Sequence, residues 1–138
     1  MSDRFKIGFT GTQEGMTNKQ QDNFLEILSW FFRSYPQGLE LHQGQCIGAD
    51  EEATYLARKS GIWVVSHPPV DKSKTHSIIC DETRPEKSFL DRNRDIVDEV
   101  NVLLAAPRSR KEELRSGTWA TVRYARKTNK PYEMVWPN

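Results

Sequence analysis

The fold is decided by residues 40–66, which read ELHQ, then GQCIGADEEATYLARKSG, then IWVVS. Residues 40–43 and 62–66 are short β-prone runs, and the second is apolar enough to form a buried strand. Between them, small and apolar residues recur every three to four positions over residues 49–60, and a Ser-Gly pair ends the run, which predicts a helix. A strand, a helix and a second strand in this order predict a right-handed crossover between parallel strands.

The same alternation continues on both sides of this unit. We predict strands at residues 6–10, 40–43, 62–66, 102–106 and 131–136. We predict helices at residues 24–35, 49–60, 90–100 and 117–128, the first preceded by a capping box that pairs Thr17 with Gln20. This order, with a long polar loop at residues 67–88, is typical of a Rossmann-like three-layer α/β/α fold with a mainly parallel five-stranded sheet. We expect residues 1–138 to form a single domain.

Composition excludes several classes of protein. Twenty Lys and Arg residues stand against nineteen Asp and Glu, and the net charge of +1 is not that of a dedicated nucleic-acid or membrane-surface binder. No apolar run approaches the ~18 residues of a membrane span, and no secretion signal begins the chain, so we expect a soluble, cytoplasmic protein. Cys46 and Cys80 form no C-x-x-C pattern, and we expect no disulfide framework.

In sheets of this kind the ligand crevice lies at the carboxyl ends of the strands, where the strand order reverses. We predict this crevice between the strands at residues 6–10 and 102–106. The turn after the first strand contributes the candidates Thr10, Gly11, Thr12 and Gln13. Small residues in that turn let backbone N–H groups approach a phosphate at the start of the following helix, although a plain tight turn explains them equally well.

Two further turns reach the same edge of the sheet. The turn after the second strand contributes the candidates Gly44, Gly48, Ala49 and Asp50. Asp50 either caps its helix, which is the commoner use, or accepts hydrogen bonds from ribose hydroxyls. His67 follows the third strand and is either a ligand contact or an anchor for the polar loop. A metal site built from His67, His76 and Cys80 matches no zinc spacing, so we predict no metal and no cofactor.

The fourth strand is flanked by a third group of candidates. Arg92 and Asn93 precede it on a helix whose apolar face includes Leu90, Ile96, Val97 and Val100. Arg92 can clamp an anion, but a solvated face on which Arg92 and Arg94 pair with Asp95 and Asp98 is the commoner arrangement. After the strand, Ser116, Gly117 and Thr118 open a second helix N-terminus that suits a phosphate, so that two helix ends meet at one crevice.

Together these segments resemble the SLOG superfamily, which includes the LOG-type nucleotide phosphoribohydrolases and the Rossmann-like domain of DprA. The segments that carry the resemblance are GFTGTQ at residues 8–13, HQGQCIGAD at 42–50 followed by Ala53 and Ala57, and the stretch at 92–118. Arg92 stands fifteen residues before Pro107, as the catalytic Arg does in LOG enzymes. Where the family has its catalytic Glu this chain has Thr121, and a hydroxyl cannot replace a carboxylate at an oxocarbenium-like centre.

The resemblance therefore implies a protein that binds a nucleotide or a nucleotide-derived molecule, as a sensor or sequestering protein, without LOG chemistry. Trp119 either stacks on a base or belongs to the core. One alternative is an N-glycosidic hydrolase that uses Asp50 or Glu14 as its acid. A second alternative is DprA-like binding of single-stranded DNA through Arg108, Arg110, Lys111 and Arg115, which the near-zero net charge disfavours. Relatives of this fold often form dimers, so a homodimer or higher homo-oligomer is compatible with the aromatic-rich composition.

Overall fold

A parallel sheet of six strands forms the centre of the molecule. The computed structural model describes residues 3–138. The strands, in chain order, are β1 (Phe5–Gly11), β2 (Leu39–Gln43), β3 (Trp63–Ser66), β4 (Glu82–Thr83), β5 (Val102–Ala106) and β6 (Tyr132–Met134). Their spatial order is β4-β3-β2-β1-β5-β6, and every neighbouring pair is parallel. The strand order reverses between β1 and β5, as predicted.

Within residues 3–138, four helices cover the two faces of the sheet. They are α1 (Asn18–Ser34), α2 (Ala49–Lys59), α3 (Phe89–Glu99) and α4 (Gly117–Lys127). On one face, α1 and α2 pack against Ile7 and Phe9 of β1, both fully buried. On the other face, α3 and α4 pack against β5 and against each other. The predicted Rossmann-like α/β/α class is confirmed, and no helix among residues 3–138 combines the length and apolar character needed to cross a bilayer.

The predicted number of strands is wrong, because β4 lies inside the segment predicted to be a loop. Its residues pair with Val65 and Ser66 of β3. Neighbouring backbone bonds extend the pairing, since the N–H of Asp81 donates to the carbonyl of Val64 and the N–H of Arg84 donates to Ser66, at 2.9 and 2.8 Å. Two exposed polar residues give no apolar alternation, so the sequence carries no signal for this strand.

A capping box fixes the start of α1, and a close contact with β1 fixes the position of the end of α3. The predicted capping box is present at α1, where the Thr17 hydroxyl accepts from the N–H of Gln20 and the Gln20 side chain accepts from the N–H of Thr17. On the opposite face, a Cβ at Gly8 of β1 would lie 2.9 Å from a methyl carbon of Val100, so only glycine lets the end of α3 pack this closely.

The face that α3 buries differs from the predicted one. Leu90 is exposed, whereas Arg92 is buried together with Ile96 and Val97. The apolar periodicity predicted that Leu90 is buried, because leucine is more hydrophobic than the polar residues next to it in the helix. The buried face is instead rotated so that the Arg92 side chain reaches the carboxyl edge of the sheet.

Candidate functional site

A cavity of about 530 Å³ opens at the carboxyl ends of β1 and β5, where the strand order reverses. It is lined by eleven residues from the predicted turns and helix starts: Thr10, Gly11, Thr12, Gln13, Gly44, Asp50, Arg92, Asn93, Ser116, Gly117 and Thr118. Parallel strands bring these turns together because all their carboxyl ends lie at one edge. The volume is in the usual range for sites that hold small molecules.

Five predicted residues do not line this cavity: Gly48, Ala49, His67, Trp119 and Thr121. Gly48 and Ala49 lie behind the β1 turn, where the N–H of Ala49 donates to the carbonyl of Thr12 at 2.9 Å. Gly48 has a φ of +83°, and a Cβ there would lie 2.3 Å from the Gln13 carbonyl oxygen. These glycine and alanine residues therefore allow the α2 start to pack against the β1 turn.

Trp119 and Thr121 face the interior of the protein. Trp119 is 3% exposed and packs with Ala105 and Val122, so the core interpretation holds and the stacking interpretation is wrong. The hydroxyl of Thr121 donates to the carbonyl of Gly117 at 2.8 Å, within α4. The position that carries the glutamate in LOG enzymes therefore places no acidic group in this cavity.

The side of the cavity formed by Gly44, Cys46, Asp50, Arg92 and Asn93 is here called the inner wall. The buried Arg92 guanidinium donates to the carbonyl of Gly44, to the carbonyl of His67 at 3.1 Å, and to the Asn93 side chain at 2.8 Å. A weaker contact reaches Cys46 Sγ at 3.7 Å. The solvated-face interpretation is therefore wrong for Arg92.

Gly44 allows this arrangement because a Cβ at its position would lie 2.4 Å from the Arg92 Nη1 atom. Arg94 does point outward, and its guanidinium lies 5.4 Å from the centre of the Tyr124 ring. Four of the five donor N–H groups of Arg92 have protein partners, so most of this guanidinium holds the loop after β2 in place.

Asp50 on the inner wall carries a buried and partly unsatisfied carboxyl group. Its Oδ2 accepts from the N–H groups of Gly44 and Cys46, at 3.2 and 3.3 Å. Its Oδ1 is buried and has no hydrogen-bond partner among residues 3–138. Burial raises the pKa of Asp50 to about 6, although the Arg92 charge and the two N–H donors oppose this. The helix-capping interpretation is wrong, because Gly48 occupies the N-cap of α2 and Asp50 stabilises the preceding loop instead.

Cys46 lies beside Asp50 on the same wall. Burial raises the pKa of the Cys46 thiol, with the Asp50 charge adding to the effect. A thiol that resists ionisation is a poor nucleophile. Cys46 is therefore a small buried thiol on this wall, with nothing among residues 3–138 that activates it as a nucleophile.

The opposite side of the cavity, formed by Arg108, Glu113, Arg115, Ser116, Gly117 and Thr118, is here called the outer wall. It contains the start of α4, where the Ser116 hydroxyl accepts from the N–H of Trp119 at 3.2 Å. The N–H groups of Gly117 and Thr118 belong to the first turn and have no partner inside the helix. Within residues 3–138 the exposed Arg115 guanidinium has no hydrogen-bond or ion-pair partner.

The start of α1 does not reach the cavity, so the prediction that two helix ends meet there is wrong. The N–H of Met16 donates to the Glu52 carboxylate at 2.6 Å, and that carboxylate also lies beside Gly15. Thr17 donates its hydroxyl to the carbonyl of Pro137. A carboxylate from α2 thus already bonds to the turn that leads into α1, beside the place where a phosphate was predicted to dock.

Seven lining residues were not among the predicted ligand contacts: Phe9, Cys46, Phe89, Ile96, Arg108, Glu113 and Arg115. The apolar ones carry no signal that separates a cavity wall from a core. The charged loop after β5 was predicted to be a surface loop, with DNA binding as the alternative function for its basic residues. In the structure Arg108 pairs with Glu113 and Glu14, and Arg110 donates to Asn138 and lies over the Trp136 ring.

His67 belongs to a second polar group on the other side of β2. Its Nε2 lies 2.9 Å from His42 Nδ1 and 3.8 Å from Glu99 Oε2, and His42 Nδ1 lies 3.0 Å from the same Glu99 oxygen. Among residues 3–138 this is the group of metal-ligating side chains close enough to share one ion. The trio considered from sequence does not assemble, because His76 bonds to Gln43 and the Cys80 thiol contacts Gln45 and Ile78.

Comparisons with known proteins identify likenesses in solved structures. No protein-family model matches the chain, and no curated protein matches it. The molybdenum cofactor binding protein from the phototrophic bacterium Rippkaea orientalis matches 97% of this chain and 77% of its own, with a TM-score of 0.73 and 21% identity. The Moco carrier protein from Chlamydomonas reinhardtii matches 95% and 75%, with a TM-score of 0.64 and 24% identity. An X-ray structure of TM1055 matches 93% and 72%, with a TM-score of 0.67 and 16% identity. At these identities the three likenesses establish a shared Rossmann-like α/β fold.

Proposed function

We propose that the cavity binds a small molecule that carries both a phosphate group and a nitrogen heterocycle. The observation that carries this proposal is the pairing of unused donors on the outer wall with an unused acceptor on the inner wall. The donors are the first N–H groups of α4 and the Arg115 guanidinium, and the acceptor is Asp50 Oδ1. A ligand that bridges the walls needs an anion at one end and a hydrogen-bond donor at the other.

The outer wall suits the phosphate. Free N–H groups in the first turn of a helix point at an anion, and the helix dipole stabilises a negative charge there by about 0.3 to 1 kcal/mol, rising to ~2 kcal/mol in partly buried geometry. Arg115 adds a planar, permanently charged donor beside them. The Glu113 carboxylate is bonded to Arg108 and not to Arg115, so the N–H groups of Arg115 stay available to a phosphate.

The inner wall suits the heterocycle. A buried carboxylate oxygen without a partner is costly, and a ring N–H or a ribose hydroxyl of the ligand removes that cost. Phe89 lines the cavity and is 44% exposed, so it offers apolar surface to a planar ring. The ligand therefore has a polar edge that donates to Asp50 and an apolar face.

Two sources share this chemistry, namely nucleotides and the molybdenum cofactor, which is a pterin that carries a phosphate. Nucleotides follow from the resemblance to the SLOG superfamily, of which we infer the chain to be a member. The molybdenum cofactor follows from two of the structural neighbours, which are described as proteins that bind or carry it. We place nucleotides and nucleotide-derived molecules first, because the turn at residues 8–13, the stretch at residues 42–50 and Arg92 match that resemblance, although the loop before α4 departs from it.

Titration calorimetry tests the proposal with matched ligand pairs. We expect saturable binding of a nucleotide such as AMP, NAD or ADP-ribose, and at least about tenfold weaker binding of adenosine, which lacks the phosphate. A second arm uses molybdenum cofactor released from a molybdoenzyme, and tighter binding in that arm identifies the pterin as the ligand. A folded protein that gives no saturable heat in either arm, or binds AMP and adenosine equally, contradicts the proposal.

A second candidate function, N-glycosidic hydrolysis, is favoured by one observation. Asp50 lines the cavity with its pKa raised to about 6, and a carboxyl group with such a pKa can act as a general acid or base near neutral pH. Glu14, the other acid considered, is exposed and paired with Arg108. Incubation with nucleoside monophosphates and chromatography for free base tests this function. Release of base that Asp50→Asn abolishes supports it, and no release above a blank excludes that substrate class.

Self-association and cytoplasmic location stay predictions. Helix α1 presents Leu25, Trp30 and Phe32 at its surface, each more than a third exposed. Sedimentation velocity over a range of protein concentrations measures self-association. If the chain self-associates, a Trp30→Glu variant with an unchanged sedimentation coefficient would exclude α1 as the contact surface.

A further inference from the structure

The His42, His67 and Glu99 cluster lies outside the cavity and has no part in the function proposed above. His42 extends from β2, His67 follows β3, and Glu99 ends α3. Both imidazole rings are buried, at 0% and 3% side-chain exposure, while Glu99 is 35% exposed. Three rigid elements thus hold three metal-ligating side chains at one point.

When both imidazole rings are neutral, the contact between His42 Nδ1 and Glu99 Oε2 has no hydrogen-bond donor. His42 Nε2 lies 2.9 Å from Glu40 Oε1, so the proton of a neutral His42 ring is on Nε2 and donates to that carboxylate. His42 Nδ1 then has a bare lone pair, and a proton on His67 Nε2 can satisfy it at 2.9 Å. Glu99 Oε2 also lies 3.0 Å from His42 Nδ1, and two lone pairs at that distance repel each other.

The geometry brings three possible ligand atoms to one point. His42 Nδ1, His67 Nε2 and Glu99 Oε2 all lie within 4.8 Å of one another. A metal ion binds the unprotonated form of each of these groups, so an ion at this point would replace the protons that the three atoms otherwise share.

We propose that His42 Nδ1, His67 Nε2 and Glu99 Oε2 bind a divalent transition-metal ion, with Zn²⁺ the best match. Zn²⁺ binds imidazole nitrogen and carboxylate oxygen at about 2.0–2.2 Å in a tetrahedron, which places donor atoms roughly 3.3 Å apart. The three observed separations, 2.9, 3.0 and 3.8 Å, bracket this value. Three protein ligands leave a fourth position for water or another small ligand.

Surrounding groups orient the ligands as expected around a metal. The Glu40 carboxylate holds the far nitrogen of His42, the arrangement that fixes the tautomer in carboxylate–histidine–zinc sites. Arg84 donates to both oxygens of Glu99, at 3.0 Å each, and fixes the carboxylate plane. A cavity of about 370 Å³ lined by His67, Arg84 and Glu99 gives an ion a route from solvent.

Calorimetric titration of the full chain, first stripped of metal with a chelator and dialysed, tests the proposal. We expect one saturable Zn²⁺ site per chain and no comparable site for Mg²⁺, which prefers oxygen ligands. Co²⁺ at the same site should give the visible absorption bands of a tetrahedral complex. A folded wild-type chain with no saturable Zn²⁺ binding overturns the proposal, and this measurement depends on no variant.

Matched variants locate the site. Glu99→Gln and His67→Ala should weaken Zn²⁺ binding at least tenfold. The controls are Glu82→Gln, which also removes a carboxylate bonded to Arg84, and His76→Ala, which removes another buried histidine. Both controls should keep the wild-type affinity. Binding that survives in Glu99→Gln but is lost in His76→Ala overturns the assignment.

Glu40→Gln tests the coordinating nitrogen. This change keeps an oxygen for the His42 Nε2 proton and removes the charge, so Zn²⁺ affinity should fall roughly 10- to 100-fold. Circular dichroism of the metal-free variant verifies that it is folded. Unchanged affinity in the folded variant contradicts the assignment of His42 Nδ1 as the ligand.

Discussion

The inner and outer walls of the cavity each contain an arginine, and the two arginines differ in burial and in hydrogen bonding. Arg92 on the inner wall is buried and donates to two backbone carbonyls and a side-chain amide. Arg115 on the outer wall is exposed and, among residues 3–138, has no partner. The number of donors already used by the protein decides the role of a guanidinium. We therefore expect Arg92 to act mainly on stability and Arg115 mainly on ligand binding.

The largest expected effect comes from the inner wall. Arg92→Ala leaves the carbonyls of Gly44 and His67 without their buried donor, so we expect the free energy of unfolding to fall by about 3 kcal/mol or more. Urea denaturation followed by circular dichroism measures it. Arg94→Ala, which removes an exposed guanidinium two positions away, is the control and should lose less than about 1 kcal/mol. Equal losses in the two variants would contradict the structural role of Arg92.

The second effect concerns Asp50 and pH. Because burial raises the folded-state pKa of Asp50 to about 6, above the unfolded value of about 3.9, the folded state binds this proton more tightly. The protonated carboxyl therefore adds stability that is fully present below about pH 4 and is lost as the pH rises through 6.

Asp50→Asn removes this titration, and comparison with wild type isolates it from other groups. The difference in unfolding free energy, wild type minus variant, should fall by roughly 3 kcal/mol between about pH 3.5 and pH 7. Urea unfolding at several pH values measures this difference. A difference that is flat across this range would show that Asp50 titrates normally.

A smaller effect is expected on the outer wall, and it should appear in binding alone. Arg115→Ala should lower the affinity for the phosphorylated ligand by about tenfold and leave the free energy of unfolding within about 0.5 kcal/mol of wild type. Lys111→Ala, in the same exposed loop but outside the cavity lining, is the matched control for charge. If both variants weaken binding equally, the effect is general electrostatics and the assignment of Arg115 fails.

The smallest effect is expected at Thr121. Its hydroxyl bonds to the backbone of its own helix, so Thr121→Val should change neither ligand affinity nor, beyond about 0.5 kcal/mol, stability. Calorimetry and thermal unfolding measure both quantities. A clear loss of affinity would mean that this position reaches the ligand.

Local patterns predicted much of this molecule, because they depend on residues close together in the chain. The alternation of β-prone and helical segments, the capping box at Thr17 and the turns at the carboxyl edge each occupy a few consecutive positions. The reversal of strand order between β1 and β5 agrees with the prediction made from this type of sheet, and it places the turns at 10–13, 44–50 and 116–118 together.

The features that sequence analysis missed depend on contacts between distant segments. Glu52 occupies the start of α1 from thirty-six residues away, and Arg92 reaches Gly44 across forty-eight. The His42, His67 and Glu99 cluster joins β2, the residue after β3 and the end of α3, so no spacing rule connects its members. The sequence-based expectation of no metal rested on spacing and did not include this combination.

Backbone amide NMR tests the central claim most directly, because it reports which wall meets the phosphate. In ¹⁵N-labelled protein titrated with AMP and, separately, with adenosine, we expect the amides of Gly117 and Thr118 to shift strongly with the nucleotide and only weakly with the nucleoside. Shifts that fall instead on residues remote from the α4 start, or that are the same for both compounds, would contradict the account.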